Sequence, residues 1–143
     1  GLALGQALDL EYENKKLSTK KILDMYSRKT GKLFEFSFSA PFILKDKSKI
    51  DIQFAKDYGM LFGLIFQIID DLIDEIGTFK KIGKTPGKDV EQGKSTLLKL
   101  IGEKQVTDLC NNKINTFIKK YKNKINQNPI LIKMLKFGMD RLN

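Results

Sequence analysis

Hydrophobic positions recur at intervals of three and four along almost the whole chain, the spacing that gives an α-helix one apolar face. No strand-like alternation of useful length occurs, and no internal repeat. The pattern predicts helices over residues 2–13 and 19–32, with Ser18 as N-cap of the second and Gly31 near its end. Residues 33–40 form a short aromatic-rich segment that Pro41 is expected to interrupt, with Phe34, Phe36, Phe38 and Phe42 expected to pack into the core and a cavity lining as the alternative. A long helix follows over 49–76. Its second half is apolar on nearly all sides, which suits the centre of a bundle, and Gly77 is expected to end it. The stretch 78–94, rich in Gly and Lys and holding Pro86, reads as a loop long enough to be functional. Beyond it, Ser95 caps a short helix to Leu100. Val106, Leu109, Cys110, Ile114, Phe117, Ile118 and Tyr121 mark one amphipathic helix, and residues 129–142 a last one. The fold class is all-α, a helical bundle with no internal domain boundary.

Composition narrows the chemistry. The chain has 143 residues, 41% of them hydrophobic, enough for a sizeable core. One cysteine and no histidine exclude an internal disulfide, a Cys/His zinc site and a histidine general base. A metal would be held by oxygen ligands, which favours magnesium or a similar hard cation. The net charge of +9 comes almost wholly from lysine, since only Arg28 and Arg141 are arginines. No arginine-rich or aromatic-basic cluster accompanies it, so phosphorylated small molecules fit this balance better than nucleic acid. The apolar run 60–69 is too short to span a bilayer, so no stable membrane insertion is expected. No signal peptide is visible, and a cytoplasmic location is expected. The chain opens on glycine within a helical pattern, from which a missing N-terminal portion is expected.

Two segments carry candidate chemistry. In Phe66-Gln67-Ile68-Ile69-Asp70-Asp71-Leu72-Ile73-Asp74, Asp70 and Asp74 share a helical face, with Asp71 beside them. Carboxylates in the last turns of a helix oppose its macrodipole, and a divalent cation would reverse that penalty. A helix end emerging into solvent is the other reading of the acids alone. Gln67, a lone amide in an apolar stretch, needs buried partners or a cavity. The second segment, Lys84-Thr85-Pro86-Gly87-Lys88-Asp89 with Gln92-Gly93-Lys94-Ser95-Thr96, combines glycines that let backbone approach an anion with lysines that neutralise phosphate. It is not a nucleotide-binding P-loop, because no strand precedes it. A solvated lysine loop is the alternative for this segment taken alone.

Together, FQIIDDLID and GKTPGKDVEQGKSTL resemble the second aspartate-rich motif and following loop of trans-isoprenyl diphosphate synthases, the polyprenyl synthetase family. Upstream, Gly5-Gln6-Ala7-Leu8-Asp9-Leu10 resembles that family's GQ-containing helix. Met25-Tyr26-Ser27-Arg28-Lys29-Thr30-Gly31-Lys32-Leu33 resembles its lysine-threonine-glycine motif. The resemblance runs from the first residue to about Leu100. It implies the C-terminal half of an isoprenoid synthase-type bundle, with residues 1–143 a partial polyprenyl synthetase domain. It also implies Mg²⁺-dependent condensation of isopentenyl diphosphate with an allylic diphosphate. By that resemblance Asp70, Asp71 and Asp74 would hold magnesium, and Lys29, Lys84 and Lys94 would bind diphosphate. Thr30 and Gln67 would line the path of the allylic chain, and Phe66 would sit near isopentenyl diphosphate. Asp9 would serve structure or site. The family's first aspartate-rich motif has no counterpart here, so the isolated chain is expected to be incomplete and inactive. A homodimer, or pairing with an N-terminal half, is the expected assembly. A regulatory subunit and a terpene cyclase of the same fold are the alternatives.

Overall fold

The computed structural model describes residues 1–80 and 96–139; the side chains of residues 74–80 and 138 fall outside that description. Its described elements are α1 (Leu2–Glu11), α2 (Thr19–Tyr26), a π-helical turn (Ser27–Gly31), α3 (Lys32–Leu44), α4 (Lys49–Lys80), α5 (Leu97–Ile101), α6 (Glu103–Lys120), α7 (Lys122–Gln127) and α8 (Ile130–Met139). No strand occurs among the described residues, and no described helix is long and apolar enough to cross a membrane.

Ser18 caps α2 as expected, its side chain accepting a hydrogen bond from the Lys21 amide, an arrangement worth about 1 kcal/mol. Ser48 opens α4 with a reciprocal cap. Its hydroxyl accepts from the Asp51 amide at 3.1 Å and donates to Oδ2 of Asp51 at 2.6 Å. Four boundaries differ from the sequence expectation. The helix expected over 19–32 closes at Tyr26, and a π-helical turn carries the chain through Gly31 directly into α3. Pro41 does not interrupt the aromatic segment but lies within α3. It forfeits the bond that an N–H there would make to the Ser37 carbonyl, and packing of α3 along α4 outweighs that penalty. Gly77 does not end α4, which runs to Lys80. Thr96, not Ser95, caps α5 by accepting from the Lys99 amide, while Ser95 itself lies outside the described residues. The short helix α7 was not anticipated; a break at Tyr121 separates it from α6.

The hairpin of α3 and α4 is the backbone of the fold, and glycine sets its spacing. A Cβ on Gly63 would fall 2.8 Å from Cα of Gly31, and one on Gly59 would fall 2.8 Å from Cα of Glu35. Both are closer than real side-chain atoms tolerate. Gly59 and Gly63, one turn apart on α4, therefore let two backbones meet that no larger residue would allow. Rings fill the flanks. Phe34 and Phe62 lie 5.0 Å apart, Phe38 and Tyr58 4.8 Å, and Phe117 and Tyr121 4.9 Å. Phe34 and Phe38 pack inward as expected, but Phe36 is 66% exposed, because the 3.6-residue period turns it to the opposite face of α3.

On the other side of α4, α6 buries Val106, Cys110, Ile114 and Phe117, the face its spacing predicted. Burial pushes the Cys110 thiol up to about 11, so it is a core residue and not a nucleophile. Tyr58 donates a 2.9 Å hydrogen bond to the carbonyl of Leu131 and so anchors α8.

Candidate functional site

The lysine-threonine segment lies on the π-helical turn between α2 and α3, a departure from α-geometry frequent at functional sites. Tyr26, Lys29 and Thr30 share one face of it, spaced by three and four residues. That face meets α1 on one side and α4 on the other.

Toward α1, Lys29 Nζ pairs with Asp9 Oδ2 at 2.7 Å, both side chains largely shielded from solvent. The approach requires Gly5, since a Cβ there would land on the backbone of Lys29. Asp9 thus fixes the position of the Lys29 ammonium. Gln6, the other polar residue of that motif, is exposed.

Toward α4, Thr30 Oγ1 donates to Gln67 Oε1 at 2.6 Å, and Gln67 Nε2 donates to Asp71 Oδ1 at 2.8 Å. Oδ2 of the same carboxylate accepts from the Tyr26 hydroxyl, which also accepts from the Leu97 amide at 3.3 Å. Gln67 is only 6% exposed, and this network is the set of partners its amide required. Burial pushes the Asp71 carboxyl up to about 6, with the negative charge of Asp70 adding to the rise. The hydrogen bonds from Tyr26 and Gln67 and the charge of Lys29 oppose it. The Tyr26 hydroxyl is raised far above its ordinary range, first by burial and then by Asp71, and it keeps its proton as a donor.

The two adjacent aspartates therefore have different surroundings. Asp71 turns inward to the network, whereas Asp70 is exposed on the face of α4 that carries Phe66. Asp70 and Phe66 open onto a pocket of about 220 Å³. Its floor is Phe62, Ile65, Ile69 and Ile73 of α4, and its far wall is Met134, Leu135 and Phe137 of α8. One carboxylate on an otherwise apolar pocket suits an amphiphile with an anionic, cation-bound head. The Asp74 side chain lies outside the described residues, as do Lys84 and Lys94. Among the described residues no group of three or more carboxylate or thiol side chains gathers to hold a metal ion.

The structure thus brings together Lys29, Thr30, Gln67 and Asp71, and sets Phe66 and Asp70 beside them on the pocket face. Sequence reasoning missed Tyr26, Gly5 and the α8 wall. A tyrosine at helical spacing from Lys29 and Thr30 was a signal for the first. The wall depends on how α8 docks, which no local pattern encodes.

Residues 1–135 match the family model for polyprenyl synthetases. Over 94 residues the chain is 38% identical to the short chain isoprenyl diphosphate synthase of Methanocaldococcus jannaschii, a match covering 66% of this chain and 29% of that protein. An isoprenoid synthase family member from Thermotoga neapolitana superposes with a TM-score of 0.67 at 33% identity, over 97% of this chain and 46% of that one. The geranyltransferase of Helicobacter pylori, whose crystal holds magnesium and isoprenyl diphosphate, shares the fold with a TM-score of 0.74 at 24% identity, over 99% of this chain and 46% of that one. The chain thus spans less than half the length of these relatives. With a helical bundle of isoprenoid synthase type and a family match across nearly all its residues, the chain belongs to the polyprenyl synthetase family.

Proposed function

We propose that this chain forms the diphosphate-releasing half of a prenyltransferase that condenses isopentenyl diphosphate with an allylic diphosphate. The complete reaction is proposed only together with the part of the family fold that this chain does not contain. The observation that carries the reading is the exposed Asp70 at the rim of an apolar pocket, next to a lysine-bearing turn tied to the same helix.

The donor set fits magnesium. The acids supply hard oxygen ligands, histidine is absent, and the single cysteine is buried. Asp70 would be the direct ligand. Asp71, whose oxygens both accept hydrogen bonds already, would contact the ion through water, and Asp74 would complete the set one turn on. Magnesium, when bound, supplies the electrostatic pull that makes diphosphate a good leaving group.

The chain's own residues do the rest. Lys29, held by Asp9, neutralises diphosphate oxygens, and Lys84 and Lys94 take the same role on the motif that follows. The Thr30–Gln67 pair borders the path of the allylic chain, and Phe66 offers a ring face toward isopentenyl diphosphate. The apolar floor of α4 and the wall of α8 take up the hydrocarbon and exclude water from the reacting carbons.

Calorimetric titration of a non-hydrolysable allylic diphosphate analogue tests this reading. Binding should require Mg²⁺, and Asp70→Ala should weaken it by about a hundredfold or more, the loss of a direct metal ligand. Mg²⁺-independent binding, or binding unchanged in Asp70→Ala, sinks it.

A further inference from the structure

We propose that Tyr26 is a positioning residue of this site, the group that with Gln67 fixes the Asp71 carboxylate and that joins it to the start of α5; the proposal rests on the prenyltransferase reading above. Tyr26 is 2% exposed, and its ring belongs to the core cluster. Its hydroxyl is used in full. The proton goes to Asp71 Oδ2, and the oxygen accepts from the amide of Leu97.

Each bond answers a specific need. Leu97 is the first residue of α5 and is 2% exposed. Its amide is one of the donors that a helix start leaves without an intrahelical partner, and the residue is buried. Asp71 is partly buried, and among the described residues no lysine or arginine is bonded to it. Its charge is carried by two neutral donors, Tyr26 on one oxygen and Gln67 on the other, and Gln67 is in turn oriented by Thr30. A carboxylate gripped at both oxygens cannot rotate about its terminal bond. The lone pairs that remain keep one direction relative to Asp70, its neighbour in the chain. Tyr26 thus determines whether Asp70 and Asp71 act on a bound cation as a fixed pair or as one fixed and one wandering acid.

The same phenol ties three elements, α2, α4 and α5, to one atom. Because α2 leads directly into the turn that bears Lys29 and Thr30, the cationic and acidic sides of the site are registered through it.

Tyr26→Phe keeps the ring and removes the oxygen. It also strands the Leu97 amide, so some loss of stability is expected whatever the role of Asp71. The discriminating measurement is a cycle of wild type, Tyr26→Phe, Asp71→Asn and the double variant. Each is titrated with inorganic diphosphate in the presence and absence of Mg²⁺, well below its melting temperature. Tyr26→Phe should weaken the Mg²⁺-dependent binding about tenfold, the scale of one hydrogen bond to a charged group. The double variant should be little worse than Asp71→Asn alone. Unchanged Mg²⁺-dependent affinity in Tyr26→Phe, or effects that simply multiply in the double variant, overturn the proposal. If the unaltered chain itself fails to bind, the prenyltransferase reading is what has failed. The tyrosine–aspartate link is then decided by urea denaturation of the same four proteins without ligand, where coupling upholds it and additivity overturns it.

Discussion

The two halves of α4 each present an aspartate held by several donors, and the two are built for different ends. Asp57, in the first half, accepts from Lys120 Nζ at 2.7 Å, Tyr121 Oη at 2.6 Å and Gln53 Nε2 at 2.7 Å. It lies near the surface and fastens α4 to the end of α6. Asp71, in the second half, is held by a phenol and an amide, and no cation among the described residues is bonded to it. Burial raises the carboxyl of both. At Asp57 the hydrogen bonds from Lys120, Tyr121 and Gln53 outweigh it and the net shift is downward, whereas at Asp71 burial wins and the net shift is upward. A fold gains from the first arrangement by itself. The second leaves a buried carboxyl whose net shift is upward, the surroundings that the cation proposed above would complete.

The largest expected effect comes from breaking the platform that both halves share. Gly59→Val places a branched side chain against the Phe34 carbonyl and Cα of Glu35, backbone atoms that cannot move aside without parting α3 from α4. The expected loss is about 3 kcal/mol or more, at the upper end for overpacking, read as a drop in the urea midpoint. A midpoint within error of wild type would mean that the hairpin is looser than the glycine spacing implies.

The next effect is confined to the site. Thr30→Val removes the donor to Gln67 Oε1 while keeping shape, and leaves a buried amide oxygen unmatched. The expected cost is about 1–2 kcal/mol, together with weaker Mg²⁺-dependent binding of diphosphate. Loss of stability with binding intact would class the network with Asp57, as structure alone.

Much of this comparison was legible in the sequence, and its gaps have physical causes. Apolar periodicity placed α4 and α6 closely, because each buries one continuous face, whereas α2 closes at Tyr26 and yields to the π-helical turn. The lone Gln67 announced a polar partner, which proved to be Thr30 on one side and Asp71 on the other. The acids read as one cluster, however, and the fold divides them. Adjacent positions on a helix point about 100° apart, so Asp70 reaches the pocket and Asp71 the interior. Which of the two faces inward depends on where α2 packs, and spacing within α4 carries no record of that. Pro41 misled for a related reason, since local breaking propensity yields to tertiary packing.

The smallest effect isolates the structural half. Asp57→Asn removes a partly exposed charge, so screening holds the expected loss below about 1 kcal/mol. Its dependence on pH is more telling than its size. The folded-state value of Asp57 lies below the ordinary 3.8. Its contribution is therefore fully present above that value and is lost as pH falls through the lower folded one. The gap in melting temperature between wild type and Asp57→Asn should stay constant from about pH 7 to pH 5 and close below about pH 4. Binding of Mg²⁺ and diphosphate should be unaffected at neutral pH, because the partners of Asp57 among the described residues, Gln53, Lys120 and Tyr121, all lie away from the pocket lining. If Asp57→Asn weakened binding as much as Thr30→Val, the two halves of α4 would be mechanically coupled, and the division between a fastening aspartate and a ligand-facing one would have to be abandoned.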